Sequence, residues 1–440
     1  MRLRETLAAA LVLALAALAL QAQTPAPVLV ALKAARLFDG TGDRSVPNGV
    51  VIVEGSRITA VGSGLAVPAG TRVIELGDAT LVPGFVDAHV HITGESGDNW
   101  YADAINGLRR GVPEQAIRAT EYARRTLLAG FTSVRNVGAG DFVDVGLRNA
   151  IDAGVVPGPR MLVAAHALGA RGGHCDNGGF PYMLFGKEPG IAEGIAAGPE
   201  QFRDAVRLQH KYGATAIKVC ATGGVLSLGD AVDTPQLTQE ELNALIDEAH
   251  RLGLKAAAHA HGAEGAKAAL RAGIDSIEHG SFLDEEALRM MKERGTYLVP
   301  TLLAGEYAGG RKAARQYPPE IAKKAKAALE ARSAMFRNAL RLGVRVAFGT
   351  DSAVSPHGKN AEEFALLVEH GMSPAAALRT SAAAATLLGI ERQAGTLEAG
   401  KQADVVALPG DPLLDIRATE RPLFVMKAGT VVRDERRELR

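Results

Sequence analysis

The segment Phe85-Val86-Asp87-Ala88-His89-Val90-His91 is an apolar run that ends in two histidines one residue apart. Strand side chains alternate between faces, so His89 and His91 point the same way and can grip one metal ion. Downstream, Lys218, His259, His279 and Asp351 each stand at or just past the end of a separate apolar run. Imidazoles and a carboxylate form an N/O donor set for a divalent cation, which brings the pKa of a bound water towards neutrality. These residue types point to metal-assisted hydrolysis, with Asp351 taking a proton from water and carrying it to a leaving nitrogen. A carboxylate there also suits the N-cap of a following helix, and one residue can do both.

Lys218 lies within Ala216-Ile217-Lys218-Val219-Cys220. A lysine inside an apolar strand is costly to bury charged, so it needs an ionic partner or becomes neutral. His259 and His261 share a strand face in Ala256-Ala257-Ala258-His259-Ala260-His261, and spacing does not choose between them as a ligand. His166, Arg171, His174, His261 and Ser227 lie at or beyond the ends of the third to fifth strands, as candidates to bind substrate. A loop hydrogen bond or a solvated charge is the plainer reading of each. Val225, Leu226 and Leu302 suit either an aromatic pocket or ordinary core packing.

The elements that must position these residues fall into two styles. Short alternating runs with turn residues occupy about 28–82, among them Val50-Val51-Ile52-Val53 and Val73-Ile74-Glu75-Leu76, and recur in Asp404–Leu408, Phe424–Lys427 and Thr430–Val432. Neither end has enough strands to bury a sheet alone, which predicts one β-sandwich built from 23–84 and 393–440. Between them, eight strand-like runs alternate with helical stretches: Phe85–His91, Thr132–Val137, Met161–His166, Ala216–Ala221, Lys255–His259, Ser276–His279, Tyr297–Pro300 and Arg345–Gly349. Thr238 with Glu241 forms a capping box, and Gly253, Gly295 and Gly343 stop three of the helices. This is an α/β pattern, and it predicts a (β/α)₈ TIM barrel over 85–392 with its active site at the carboxyl ends of the strands. An open doubly wound sheet is the alternative, without a Gly-x-Gly-x-x-Gly loop to support it. Insertions at Asn99–Gln115 and from Gly169 to about Pro199 are long enough to shape a substrate site.

The 440 residues suffice for a large domain and a smaller one, and 49 basic against 49 acidic side chains argue against a nucleic-acid partner. Arg2 and Arg4 precede an apolar run from Leu7 to Leu20, and Ala22 offers a cleavage site, so 1–22 reads as an export signal. A retained anchor is the alternative. Cleavage leaves a secreted or periplasmic protein with no membrane attachment. Cys175 and Cys220 are the only cysteines. An oxidising compartment permits one bridge between them, but the reading adopted is a loop thiol at Cys175 and a small buried residue at Cys220.

The six candidate ligands resemble the set of the amidohydrolase superfamily. The likeness extends to Leu81-Val82-Pro83-Gly84, Gly130-Phe131-Thr132-Ser133-Val134-Arg135 and Gly400-Lys401-Gln402-Ala403-Asp404. Ala221-Thr222-Gly223-Gly224 and His259-Ala260-His261-Gly262 are similar to the imidazolonepropionase-related branch with its dipeptidases and carboxypeptidases, and within it to the bacterial ochratoxin A-hydrolysing amidohydrolases. The resemblance implies two divalent metal ions, zinc by default, held by His89, His91, His259, His279 and Asp351. It further implies that Lys218, carboxylated by carbon dioxide, bridges them, and it puts His261 nearer the substrate. It implies a small-molecule amide or dipeptide ending in a C-terminal amino acid as substrate, and a homo-oligomer, up to an octamer. Cyclic-amide hydrolysis, deamination and a non-catalytic binding role are the competing readings; Lys218 counts against a deaminase, and the complete ligand set against loss of catalysis. Asn136 departs from the aspartate usual after Arg135, which bears on loop contacts there.

Overall fold

The computed structural model describes residues 29–176, 184, 186–313 and 316–435; the export signal expected at 1–22 lies outside the described residues. Leu29–Leu37 pairs antiparallel with Val46–Glu54 and parallel with Arg72–Glu75 and Ala79–Pro83. Ala79–Pro83 then pairs antiparallel with Val405–Pro409, which carries Phe424–Lys427 and Thr430–Asp434 beside it. The two chain ends thus share an eight-stranded sheet. Leu32, Val51, Ile58 and Leu81 from one end pack with Val405, Phe424 and Met426 from the other. Each end supplies apolar area that the other removes from water, as their alternating patterns require.

The middle of the chain supplies eight parallel strands. They are β1 (Phe85–Val90), β2 (Phe131–Asn136), β3 (Arg160–Val163), β4 (Ala216–Cys220), β5 (Lys255–Gly262), β6 (Ser276–Phe282), β7 (Tyr297–Val299) and β8 (Arg345–Val346). β1 to β3 form one parallel sheet and β4 to β8 another. Single backbone hydrogen bonds beside the strands connect the two sheets: Thr215 N–H donates to Val163 O at 2.8 Å, and Ala88 N–H to Phe348 O at 2.9 Å. Every residue of β1, β2 and β4 is buried, as parallel strands covered on both faces should be.

The covering helices obey their local signals. Thr238 and Glu241 close the capping box that opens Gln239–Arg251. Asp284 accepts from Ala287 N–H to start Glu285–Arg294, and Gly295 ends that helix at φ 71°, a backbone angle that suits glycine. Pro319–Leu342 ends in the same way at Gly343. The insertion near Asn99 carries its own helix, Trp100–Arg109, with no buried residue.

The cysteine reading is corrected. Cys175 and Cys220 are joined as a disulfide, with their Cα atoms 5.9 Å apart. The loop after β3 doubles back: Gly169–Ala170 pairs with Ile195–Ala196, and Leu168 bridges Val219 of β4. That return brings Cys175 over the carboxyl end of β4, a proximity that a separation of 45 residues does not announce.

Candidate metal centre

His89, His91, Lys218, His259, His279 and Asp351 all line one cavity of about 340 Å³. Strand alternation accounts for much of this, since His89 with His91, Lys218 with Cys220 and His259 with His261 are each two residues apart and share the cavity. Three residues in or just past their strands adopt left-handed backbone angles, His279 at φ 69°, Thr301 at 46° and Asp351 at 57°. Non-glycine residues hold such angles at a cost of about 1–3 kcal/mol each, and they concentrate where side chains must be aimed at a site.

The donors fall into two adjoining groups. His89, His91 and Asp351 form one and His259, His261 and His279 the other, with donor atoms within 4.8 Å of one another in each. The rings of His89 and His279 lie 4.9 Å apart, so the groups share a boundary. Most of the rings are anchored through Nδ1. His89 contacts Glu278 Oε2 at 2.7 Å, His279 contacts Thr301 Oγ1 at 2.7 Å, and His261 contacts Ser281 Oγ at 3.0 Å. His259 is held the other way, by Nε2 against Gly223 O at 3.2 Å. Such partners fix ring orientation and leave the opposite nitrogen for a metal.

The residues fit a divalent cation. His89 Nε2 is buried without a hydrogen-bond partner, and faces Asp351 Oδ1 at 3.5 Å. A buried orphan nitrogen is costly unless something accepts its lone pair, which a cation does. Burial pushes His91 down to about 4 and His261 to about 3, and holds His259 and His279 well below the usual imidazole range. All four are therefore neutral near pH 7, the form that ligates metal. Burial drives the Lys218 amine down to about 8 against the opposing pull of Glu278 and Asp351. Burial would raise Asp351, but its contact with His89 and the charges of His89, His91 and Lys218 outweigh it and hold the carboxyl at about 2.

An amidohydrolase family model matches residues 80–432, most of the chain, including every donor named above. The chain belongs to the amidohydrolase family. It is a hydrolytic enzyme acting on C–N bonds. This amidohydrolase is 35% identical over 363 residues to ochratoxinase from Aspergillus niger, covering 78% of this chain and 73% of the fungal protein. Its structure matches that of a Xaa-Pro dipeptidase with methionine bound in the active site, at a TM-score of 0.86 and 38% identity, over 92% of this chain and 99% of the other. The crystal structure of A. niger ochratoxinase matches at 0.82 and 31% identity, over 93% and 96% of the two chains.

The residues expected near substrate separate into three kinds. His261 stands inside the second donor group, so the structure places it closer to a metal position than the sequence reading did. His174 lines the cavity, its ring 4.1 Å from that of His259, and its Nδ1 meets Ser227 Oγ at 2.8 Å. Ser227 is behind His174 and is itself held by Asp230, which pairs with Lys324 at 3.0 Å. His166 and Arg171 are not in this cavity. The turn after β3 points His166 into a neighbouring cleft, where its Nε2 accepts from Asp141 N–H at 3.1 Å, and Arg171 is exposed on the returning loop.

Other functional groups in this amidohydrolase escaped the sequence reading. Glu278, fully buried, receives Arg135 Nη2 at 2.9 Å as well as His89. Burial would raise its pKa, but Arg135, His89 and Lys218 hold it at about 2. Asp87 accepts from His89 N–H, Thr350 Oγ1 and Asn360 Nδ2, tying β1 to the segment that carries Asp351. The available signal was an acidic residue inside each apolar run, Asp87 and Glu278, beside a histidine. Asn136 accepts from Ile92 N–H and donates to Asp144 and to Gly138 O, so that departure from the family pattern bears on the turn after His91 and the segment after β2.

Proposed function

We propose that this amidohydrolase holds two divalent cations and cleaves the amide joining an acyl or aminoacyl group to a C-terminal amino acid. N-acyl amino acids, dipeptides and ochratoxin A-like amides are the substrate class. The observation that carries the reading is the convergence of six N/O donors and a buried lysine on one cavity. We read the eight parallel strands, their two sheets connected by backbone hydrogen bonds, as a closed (β/α)₈ barrel that presents these residues at its carboxyl-end mouth. The sheet from the chain ends is read as the accompanying β-sandwich.

His89, His91 and Asp351 are assigned to one cation and His259 and His279 to the other, with zinc as the default metal. Lys218 is assigned as the bridge: its depressed pKa makes the neutral amine accessible, which adds to carbon dioxide and loses a proton to become a carbamate. When bound, divalent cations would supply Lewis acidity there and lower the pKa of a water molecule. Asp351, kept ionised, would accept a proton from the attacking water and deliver it to the departing nitrogen, so that water adds across the C–N bond to give an acid and an amine. Glu278 and Arg135 hold the His89 ring in place throughout. The support from related proteins is that matching structures include a Xaa-Pro dipeptidase and ochratoxinase.

Lys218→Ala tests the reading. Activity on N-acyl amino acids is expected to fall by orders of magnitude and to return in part when a short carboxylic acid is added. Full activity without rescue rejects the bridging role. A panel of N-acyl amino acids, dipeptides and lactams decides the bond class, and turnover of the lactams alone favours cyclic-amide hydrolysis.

A further inference from the structure

Behind the cavity, in the loop between β4 and the helix Gln239–Arg251, one carboxylate gathers several donors. Asp230 accepts from Gly224 N–H at 2.9 Å, Ser227 Oγ at 2.7 Å, Lys324 Nζ at 3.0 Å and Gln236 Nε2 at 3.4 Å. Its side chain is 8% exposed and that of Lys324 11%, so the ion pair is largely withdrawn from water. We propose that Asp230 is a positioning residue: acting through Ser227, it fixes His174 with its proton on Nδ1, so that Nε2 offers the substrate a lone pair and selects amides that carry an N–H. The inference rests on the amide-hydrolase reading above and adds the group that reads the scissile nitrogen.

Hydrogen counting gives the direction of the chain. An ionised carboxylate only accepts, and a hydroxyl has a single hydrogen to give. Ser227 Oγ lies 2.7 and 2.8 Å from the two oxygens of Asp230, so its hydrogen goes there, and Lys324 favours the ionised form of Asp230. The 2.8 Å contact between Ser227 Oγ and His174 Nδ1 then takes its hydrogen from the ring. In a neutral imidazole the other nitrogen is left with a lone pair. The His174 ring packs 4.1 Å from that of His259 in a cavity shared with Lys218, where a further positive charge is disfavoured.

The same carboxylate steadies the backbone of His174. Gln236 Oε1 accepts from His174 N–H at 2.9 Å while Gln236 Nε2 reaches Asp230. The pair Gly223-Gly224 leaves room for this arrangement: a Cβ at Gly224 would meet the His174 ring at 2.0 Å, and one at Gly223 would stand 2.1 Å from Ala231 O and 3.0 Å from Asp230 Oδ2. With Nδ1 turned to Ser227, Nε2 is directed away from it on a ring that lines the cavity. A secondary amide can donate to that nitrogen, whereas a tertiary amide has no hydrogen to give. A buried acceptor left unpaired is costly, so the site should discriminate between the two.

The test compares kcat/KM of the metal-loaded enzyme for N-acetyl-phenylalanine and N-acetyl-N-methyl-phenylalanine, which lacks the amide hydrogen. The parent is expected to prefer the first by more than about 100-fold. Asp230→Asn can turn an N–H towards Ser227 and reverse the chain, so the preference is expected to fall below about tenfold with metal content unchanged. Ser227→Thr keeps the hydroxyl and is expected to keep the preference, which Ser227→Ala loses; this pair decides the matter should Asp230→Asn fail to fold. A parent indifferent to the N–H, or equal losses on both substrates in the variants, overturns the proposal. Nitrogen NMR of protein labelled in its histidine rings reads the tautomer directly, with the His174 signal assigned by its absence in His174→Gln. A proton on Nε2 in the parent overturns the proposal. A proton on Nδ1 that moves in Asp230→Asn, in protein that hydrolyses no N-acyl amino acid, supports Asp230 as the positioning residue and rejects the proposed reaction.

Discussion

Replacing Glu278 by glutamine keeps the shape of the side chain and removes its charge, in the fully buried environment shared with Arg135 and His89. Folding holds this carboxyl at about 2, against an ordinary value of 4.5. At 1.36 kcal/mol per pH unit, that difference corresponds to roughly 3 kcal/mol of stability near neutral pH. A second route gives a similar size, because breaking a buried ion pair on one side costs about 3–5 kcal/mol. Since the folded pKa lies below the unfolded one, the unfolded chain takes up the proton first. The contribution is therefore complete above pH 4.5 and fades as the pH falls towards about 2. Denaturant unfolding of the metal-free protein should show Glu278→Gln less stable than the parent by about 3 kcal/mol at about pH 7, and by much less at about pH 3. The double change Arg135→Met with Glu278→Met is expected to cost less than the sum of the single changes, since neither charge is then stranded. A Glu278→Gln variant within about 1 kcal/mol of the parent at neutral pH, or a deficit independent of pH, refutes this reasoning.

Three further outcomes are expected. A Cβ at Gly224 overlaps the ring of His174, so Gly224→Ala should displace that ring and raise KM with metal content unchanged; an unaltered KM removes His174 from substrate binding. Cys175→Ser releases the loop that carries His174 over β4, and kcat/KM should fall about tenfold from lost positioning, with chemical reduction of the parent giving the same loss. Chelation should abolish activity and lower the thermal midpoint, and restored metal should recover both; activity that survives complete metal removal, checked by elemental analysis, contradicts the assignment of the histidine groups.

The convergence of the candidate metal donors was legible in particular residues. His89 with His91 declared a shared strand face, and Lys218 stood out as a charge inside an apolar strand that the structure does bury. The helix starting at Thr238 and the stops at Gly295 and Gly343 followed from capping. His166 and Arg171 lie outside the cavity of the histidines, because position beyond a strand end does not say where a turn points its side chain. Glu278 went unread because its partner Arg135 is 143 residues away.

What the sequence by itself determined are properties settled within a few neighbouring residues: strand alternation, caps, and the kinds of donor atom available. Tertiary structure alone decided that Cys175 meets Cys220, that Glu278 orients His89, and that donors from separate strands share one cavity. Those outcomes depend on through-space distances between distant segments, and neither the compensation of a buried charge nor the volume of a cavity exists until the segments are packed together.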